Sequence, residues 1–275
     1  MNGMNRTIWS LLAAMCALAS LAEAQTKPLG VFDPGPAPPA WASIGTLADW
    51  DDFAAARDLS ERRGMRWLLH LGYAEDPRVP IAPHAERVRD RLRADGLLPY
   101  VAAVNLGEEW YEHCLAGAYA AYGLPVDSPA CVPVVRDWLG HQQAQVARVF
   151  ARPVVWLTTM VHPVWRPVPA HTTVVALDPY YGPGGSFDST VAPILALAER
   201  STTLPLVLIP QWFRAPSGVT PRAADVAKYF DWLARPQWIA LLGFSWSDRA
   251  GPHGLTGLES LPSIQRAIER EVVRP

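Results

Sequence analysis

The chain has 275 residues, with 24 Lys and Arg against 26 Asp and Glu, a formal net charge of -2 at pH 7. That balance gives no electrostatic footprint for nucleic acid or for an anionic membrane surface, and neither is expected as a partner. Beyond the N-terminal leader no segment is long and apolar enough to cross a bilayer, and the length suits one domain with a sizeable core.

The N-terminus reads as an export signal over residues 1–24. Arg6 supplies the positive charge, the run from Ile8 to Leu21 the apolar core, and Ala22-Glu23-Ala24 the small-x-small cleavage site. Cys16 follows Met15, a poor fit to the small residue a lipobox wants, so plain export with cleavage before Gln25 is expected, to a secreted or periplasmic location. The remaining cysteines, Cys114 and Cys131, are expected to pair as a disulfide in an oxidising compartment.

In chain order, residues 29–33 read as a short first strand stopped by Pro34-Gly35-Pro36. A weaker second strand falls over 41–47. A helix is expected over 49–63, with apolar Trp50, Phe53, Ala54 and Leu59 set among charges and Gly64 at its end. Residues 65–71 make a third strand and 82–94 a charged helix. The fourth strand begins at Leu97 as a continuous apolar run, the mark of a strand buried on both faces. It breaks at Gly107 into Glu108 and Glu109, followed by Trp110 and Tyr111.

A long connection over 113–133 carries both cysteines, and long loops in compact domains are usually functional or tethered. Then come a helix over 134–150, strands over 154–160 and 173–178, a helix over 188–200, and a strand over 204–210. A helix over 221–234, a strand over 238–246 and a helix over 261–272 close the chain. Eight strands, most followed by helices, predict a single (β/α)8 TIM barrel, class α/β, over residues 25–275. A doubly wound open sheet is the alternative, since no clear helix separates the first two strands.

Function in such a barrel sits where strands end. The residues just past each strand are Asp33, then His70 and Tyr73, then Glu108, Glu109 and Trp110. His162 and Trp165 come next, then Asp178, Tyr180 and Tyr181, then Gln211 and Trp212, then Trp246 and Asp248. Asn105, within strand four, is the only Asn after the leader. Carboxylates with aromatic rings suit a sugar: proton transfer on one hand, apolar C–H faces to stack on the other. Asp33 and Asp178 each precede Pro and also read as turn formers. Trp67, Trp156 and Trp238 fall inside strands or at their starts and read as core. No Gly-rich phosphate loop and no His-x-His or Cys-x-x-Cys motif appears. A metal site would need His70, His162 and Asp178 to converge, and no metal or cofactor is expected.

With these residues the chain resembles the glycoside hydrolase-type (β/α)8 barrels, without singling out one family. Gly107-Glu108-Glu109-Trp110 is similar to the acid-bearing end of strand four in many such barrels. Phe244-Ser245-Trp246 resembles their strand-eight Trp, which commonly floors the sugar site. The resemblance implies Glu109 as general acid and Glu108 as a supporting or alternative acid. It departs at strand seven, where Gln211 stands in the place of the nucleophile of retaining members. Three accounts follow: an inverting enzyme with Asp178 or Asp33 as base; a substrate-assisted one with Tyr180 or Asp178 positioning an acetamido group; or a non-catalytic carbohydrate-binding barrel. The reading carried forward is a secreted, monomeric glycosidase-like protein that acts on carbohydrate. Glu109, Glu108 and Asp178 are its catalytic set, and Asp33, His70, Asn105, Trp110, Tyr180, Gln211, Trp212 and Trp246 bind substrate.

Overall fold

The computed structural model describes residues 27–35, 37–72, 78–125, 129–158, 168–181, 184–215, 219–248 and 255–274. The expected leader, its expected cleavage before Gln25, and Tyr73, His162 and Trp165 lie outside these residues. Eight strands form the sheet: β1 (Leu29–Val31), β2 (Ile44–Ala48), β3 (Arg66–His70), β4 (Val101–Glu108), β5 (Val154–Thr158), β6 (Val174–Leu177), β7 (Leu206–Leu208) and β8 (Trp238–Gly243). Each pairs in parallel with the next, and β8 returns to β1, which closes the barrel and excludes the open doubly wound sheet. Among the described residues seven helices surround it: α1 (Phe53–Arg63), α2 (Ala82–Ala94), α3 (Trp110–Leu115), α4 (Cys131–Phe150), α5 (Ala192–Ser201), α6 (Ala223–Leu233) and α7 (Pro262–Val272). Among the described residues, no helix joins β1 to β2.

The strands are apolar on both faces because each face meets a different core. In β5, Val155 and Leu157 point into the barrel with Leu68, Ala176, Val207 and Leu242. Val154 and Trp156 point outward, against the helices. Trp67, Trp156 and Trp238 belong to the outer layer at 2 %, 1 % and 0 % exposure, which is the core role read from their positions within strands. The indole N–H of Trp67 donates to Ser60 Oγ at 2.7 Å and that of Trp238 to Glu199 at 2.7 Å, so neither buried donor is unsatisfied.

Element ends move for local reasons. The α1 helix starts at Phe53 rather than at 49, because Asp52 caps it by accepting from the Ala54 N–H, while the Asp51 carboxylate accepts from the Ala48 N–H at 2.7 Å. Trp50 is thereby left on the β2–α1 loop. Pro99 sits in a 3₁₀ turn over Leu98–Tyr100, so β4 begins only at Val101, and it runs through Gly107 to Glu108. The α4 helix begins three residues earlier than its amphipathic pattern suggested, at Cys131, which is bonded to Cys114 across a Cα separation of 6.1 Å.

The disulfide ties the short α3 helix, directly after the β4 carboxylates, to the long α4 helix. A cross-link of this span is expected to contribute about 3 kcal/mol in the chain-entropy account. Replacing both Cys114 and Cys131 by Ser should lower the denaturant midpoint accordingly, and reductant should have the same effect on the parent protein. A midpoint indifferent to both would show that the bond is unformed or energetically idle.

Candidate active site

The end of β4 shapes the site. Against β5, Asn105 registers with Val155 and Glu108 with Leu157, so one extra residue of β4 is accommodated between the two pairings. Gly107 takes up the irregularity at φ 107, backbone that favours glycine. Without it, the two-residue period would carry Glu108 to the helix side. With it, Glu108 shares the face of its inward partner Leu157, on the same side as Asn105. Glu109 then turns the chain from strand to helix in the left-handed region (φ 56), its carbonyl accepting from the His113 N–H at 2.8 Å.

Above the strand ends lies a cleft of about 300 Å³ lined by Phe32, Asp33, Thr46, Trp50, His70, Glu108, Glu109 and His113. Asp33 reaches it from β1, with left-handed backbone (φ 47) held by its N–H donating to Thr46 Oγ1 at 2.9 Å. His70 reaches it from β3. The Asn105 amide nitrogen lies 3.1 Å from His70 Nδ1 and can only donate, so the imidazole accepts there and carries its proton on Nε2. Burial also pulls the His70 pKa below its ordinary value, against the opposing pull of Asp49, so the ring is neutral at neutral pH. Glu108 Oε1 stands 3.9 Å from His70 Nδ1, too far for a hydrogen bond.

Carboxylates therefore set the field. Burial, and secondarily the neighbouring Glu109, raise the Glu108 pKa to about 7. Glu109 is raised by burial and then by Glu112, whose Oε1 accepts from Thr158 Oγ1 at 2.6 Å. Asp178, just past β6, is 3 % exposed, and burial followed by repulsion from Glu109 and Glu108 drives its pKa well up. Its Oδ2 accepts from the Tyr180 hydroxyl at 2.9 Å, and Oδ1 has no hydrogen-bond partner among the described residues. Among those residues no group of three His, Cys, Asp or Glu could hold a metal ion.

Edge-on aromatic contacts continue round the rim: Phe32 to Phe244 at 5.4 Å, Phe244 to Phe213 at 5.4 Å, and Phe213 to Tyr180 at 5.6 Å.

The sequence matches no protein-family profile and no curated protein. Solved structures do match. A GH113 β-1,4-mannanase aligns with a TM-score of 0.53 at 11 % identity, over 85 % of this chain and 89 % of its own. The β-1,4-D-mannanase from Cryptopygus antarcticus aligns with a TM-score of 0.53 at 9 % identity, over 84 % and 80 %. A calcium-binding mutant of β-glucuronidase 2 from Bacteroides uniformis gives 0.59 at 10 % identity, over 85 % of this chain and 32 % of that longer one. With these structures the chain shares the closed (β/α)8 barrel fold.

Within that fold the expected site residues divide. Asp33, His70, Glu108 and Glu109 line the cleft together. Asn105 lies beneath it at 1 % exposure, oriented on His70. Asp178 and Tyr180 form one hydrogen-bonded unit electrostatically coupled to the two glutamates. Trp246 is half-buried, its backbone N–H donating to the Phe32 carbonyl at 3.0 Å. Trp110 and Trp212 are core instead of cleft wall, at 3 % and 0 % exposure. The Trp110 indole donates to the Leu106 carbonyl at 3.3 Å and its ring meets Tyr119, while Trp212 fills the space that a side chain on Gly243 would need. Gln211, 1 % exposed, is a clamp: its Oε1 accepts from the Tyr181 N–H at 2.9 Å and joins the ends of β6 and β7. Asp248 is likewise structural, accepting from the Gly257 N–H at 2.6 Å and from Ser260 Oγ at 2.8 Å.

Trp50, Thr46, Phe32 and His113 were not read as site residues. Only Trp50 carried a local signal, the Asp52 cap that puts it outside the helix.

The raised Glu108 pKa has a thermodynamic consequence. The folded protein keeps this proton up to about pH 7, whereas an ordinary glutamate loses it near 4.5. Between those values the native state binds more protons, so stability falls as pH rises through the window and levels off above it. Water in the cleft screens part of the effect, because 37 % of the side chain is open. Glu108→Gln should therefore be more stable than the parent in denaturant melts at about pH 8, and the difference should vanish below the unfolded-state pKa. Equal stability of the two proteins at both pH values would mean that Glu108 titrates as an ordinary surface carboxylate.

Proposed function

We propose that this protein is an exported glycosidase that hydrolyses glycosidic bonds with inversion, Glu108 acting as general acid and Asp33 as general base. The observation that carries this reading is the β4 bulge, which turns Glu108 into the cleft where its pKa rises to about 7. A general acid must hold its proton at working pH, and burial is how a carboxyl does so. Glu108 thus takes the role that the resemblance gave to Glu109, which lies on the turn into α3 and supports it by like charge. Asp33 faces the same cleft from β1. In the reaction, Glu108 gives its proton to the departing glycosidic oxygen while Asp33 takes one from the water that attacks the anomeric carbon.

A retaining double displacement is disfavoured by two residues. Gln211 engages the backbone at the end of β7, and Asp178 is too deeply buried to stand as a ready anion. Asp178 instead accepts from the hydroxyl of the more exposed Tyr180. The disulfide supports an oxidising, extracytoplasmic setting. A carbohydrate-binding barrel without turnover is the second reading, favoured by the missing strand-seven carboxylate.

On a polysaccharide that the protein cleaves, Glu108→Gln should lower turnover by roughly 10²-fold or more, and Glu109→Gln by less. The parent's kcat/KM should fall as pH rises through about 7, because the acid is then deprotonated, and the variant should lack that limb. Proton NMR of the first-formed product should show the anomer opposite to the substrate's. A retained configuration would overturn Asp33 as base. Binding with no release of reducing ends from any polysaccharide would favour the second reading.

A further inference from the structure

A second groove of about 540 Å³ shares a lining residue with the cleft. Trp50 borders both. Trp50 is 66 % exposed, which is unusual for the largest apolar side chain. It is nonetheless firmly placed. One edge packs on His70 at 6.1 Å, and the ring fits against Gly72, where a Cβ would come within 2.8 Å of it. The loop beneath is fixed by Asp49, whose carboxylate accepts from the Gly72 N–H at 3.2 Å and contacts His84. Arg91 donates to the carbonyls of Asp49 and Asp51, both at 3.0 Å. Val79, another exposed large apolar side chain at 53 %, lines the far wall of the same groove with Pro80 and Pro83.

An exposed aromatic ring that lines two neighbouring depressions is a stacking platform for a flat apolar face, and polar side chains flank it in His84, Arg87 and Asp49. We infer that the substrate is an oligosaccharide long enough to run from the cleft across Trp50 into this groove, with one sugar ring stacked on the indole and the next against Val79. This rests on the glycosidase reading above. The groove shares Trp50 with the cleft, and its mixture of one ring, short apolar residues and side-chain donors fits a sugar chain, whereas an apolar peptide or lipid would leave the polar rim unpaired.

The test uses the full-length mature protein carrying Glu108→Gln, so that ligand is bound without turnover, and calorimetric titration with manno- and cello-oligosaccharides of increasing length. Affinity should rise with chain length. Trp50→Ala in that background should weaken binding of the longer members about 10-fold or more, equivalent to about 1.4 kcal/mol. It should leave the melting temperature unchanged, because the ring is exposed. Val79→Asp, which touches only the groove, should weaken the longer members while leaving the shortest bound member unaffected. Length-dependent affinity that neither substitution alters overturns this inference and leaves the glycosidase reading standing. Failure of every oligosaccharide to bind, together with failure of the parent to cleave any polysaccharide, overturns both.

Discussion

A strand in a closed parallel barrel has two faces, and its period of two residues assigns every side chain to one of them. In β4 that assignment is interrupted twice, once against β3 between Val101 and Ala103 and once against β5 near the strand's end. The single-residue irregularity at Gly107 moves the strand's last side chain from the helix-facing layer to the barrel mouth. The rest of the site is arranged round that displacement. Asn105 remains inward one pairing below, His70 accepts from Asn105 on the neighbouring strand, and Glu108 emerges beside them among apolar and acidic neighbours.

The mouth of the barrel is unfavourable to folding in several independent ways. Two non-glycine residues, Asp33 and Glu109, hold left-handed backbone, and Asp178 buries a carboxyl with one oxygen lacking a partner among the described residues. Beyond burial, Glu109 raises the pKa of Glu108, Glu112 raises that of Glu109, and Glu109 and Glu108 both raise that of Asp178. Strain and repulsion concentrated at one end of a fold are tolerated when the remainder over-determines the backbone. Here the remainder is the double core, one layer inside the sheet and one between sheet and helices, and the disulfide that fixes α3 directly behind the acidic turn.

Neutral His70 is the complement of this arrangement. A protonated imidazole 3.9 Å from Glu108 would favour the anion and draw the carboxyl back toward ordinary acidity. Burial and the donor from Asn105 keep the ring uncharged, so desolvation governs Glu108. Asn105 beneath the cleft and His70 in its wall thus help preserve the proton on Glu108.

Much was legible in the sequence, and for stated reasons. Apolar runs such as residues 174–177 and 238–243 are strands because they are buried on both faces, and their number and spacing gave a barrel. Trp67, Trp156 and Trp238 announced themselves as core by lying within or at the start of strands, and the cysteines by being the two that follow the expected leader. Carboxylates past strand ends pointed to one rim, and Asp33, Glu108 and Glu109 do meet there. What the chain alone did not contain was the direction of each side chain near a strand end. Trp110 and Trp212 have the same composition signal as Trp50, yet the first two fill the shell behind the sheet and only the third faces solvent. Gln211 looked like a ligand for substrate and proves to be a ligand for the Tyr181 backbone. Period and propensity fix which residues form elements, since those depend on near neighbours. Which way the last residue of an element points depends on a bulge, a cap or a gap left by a glycine on another strand, and those are settled only when the sheet closes.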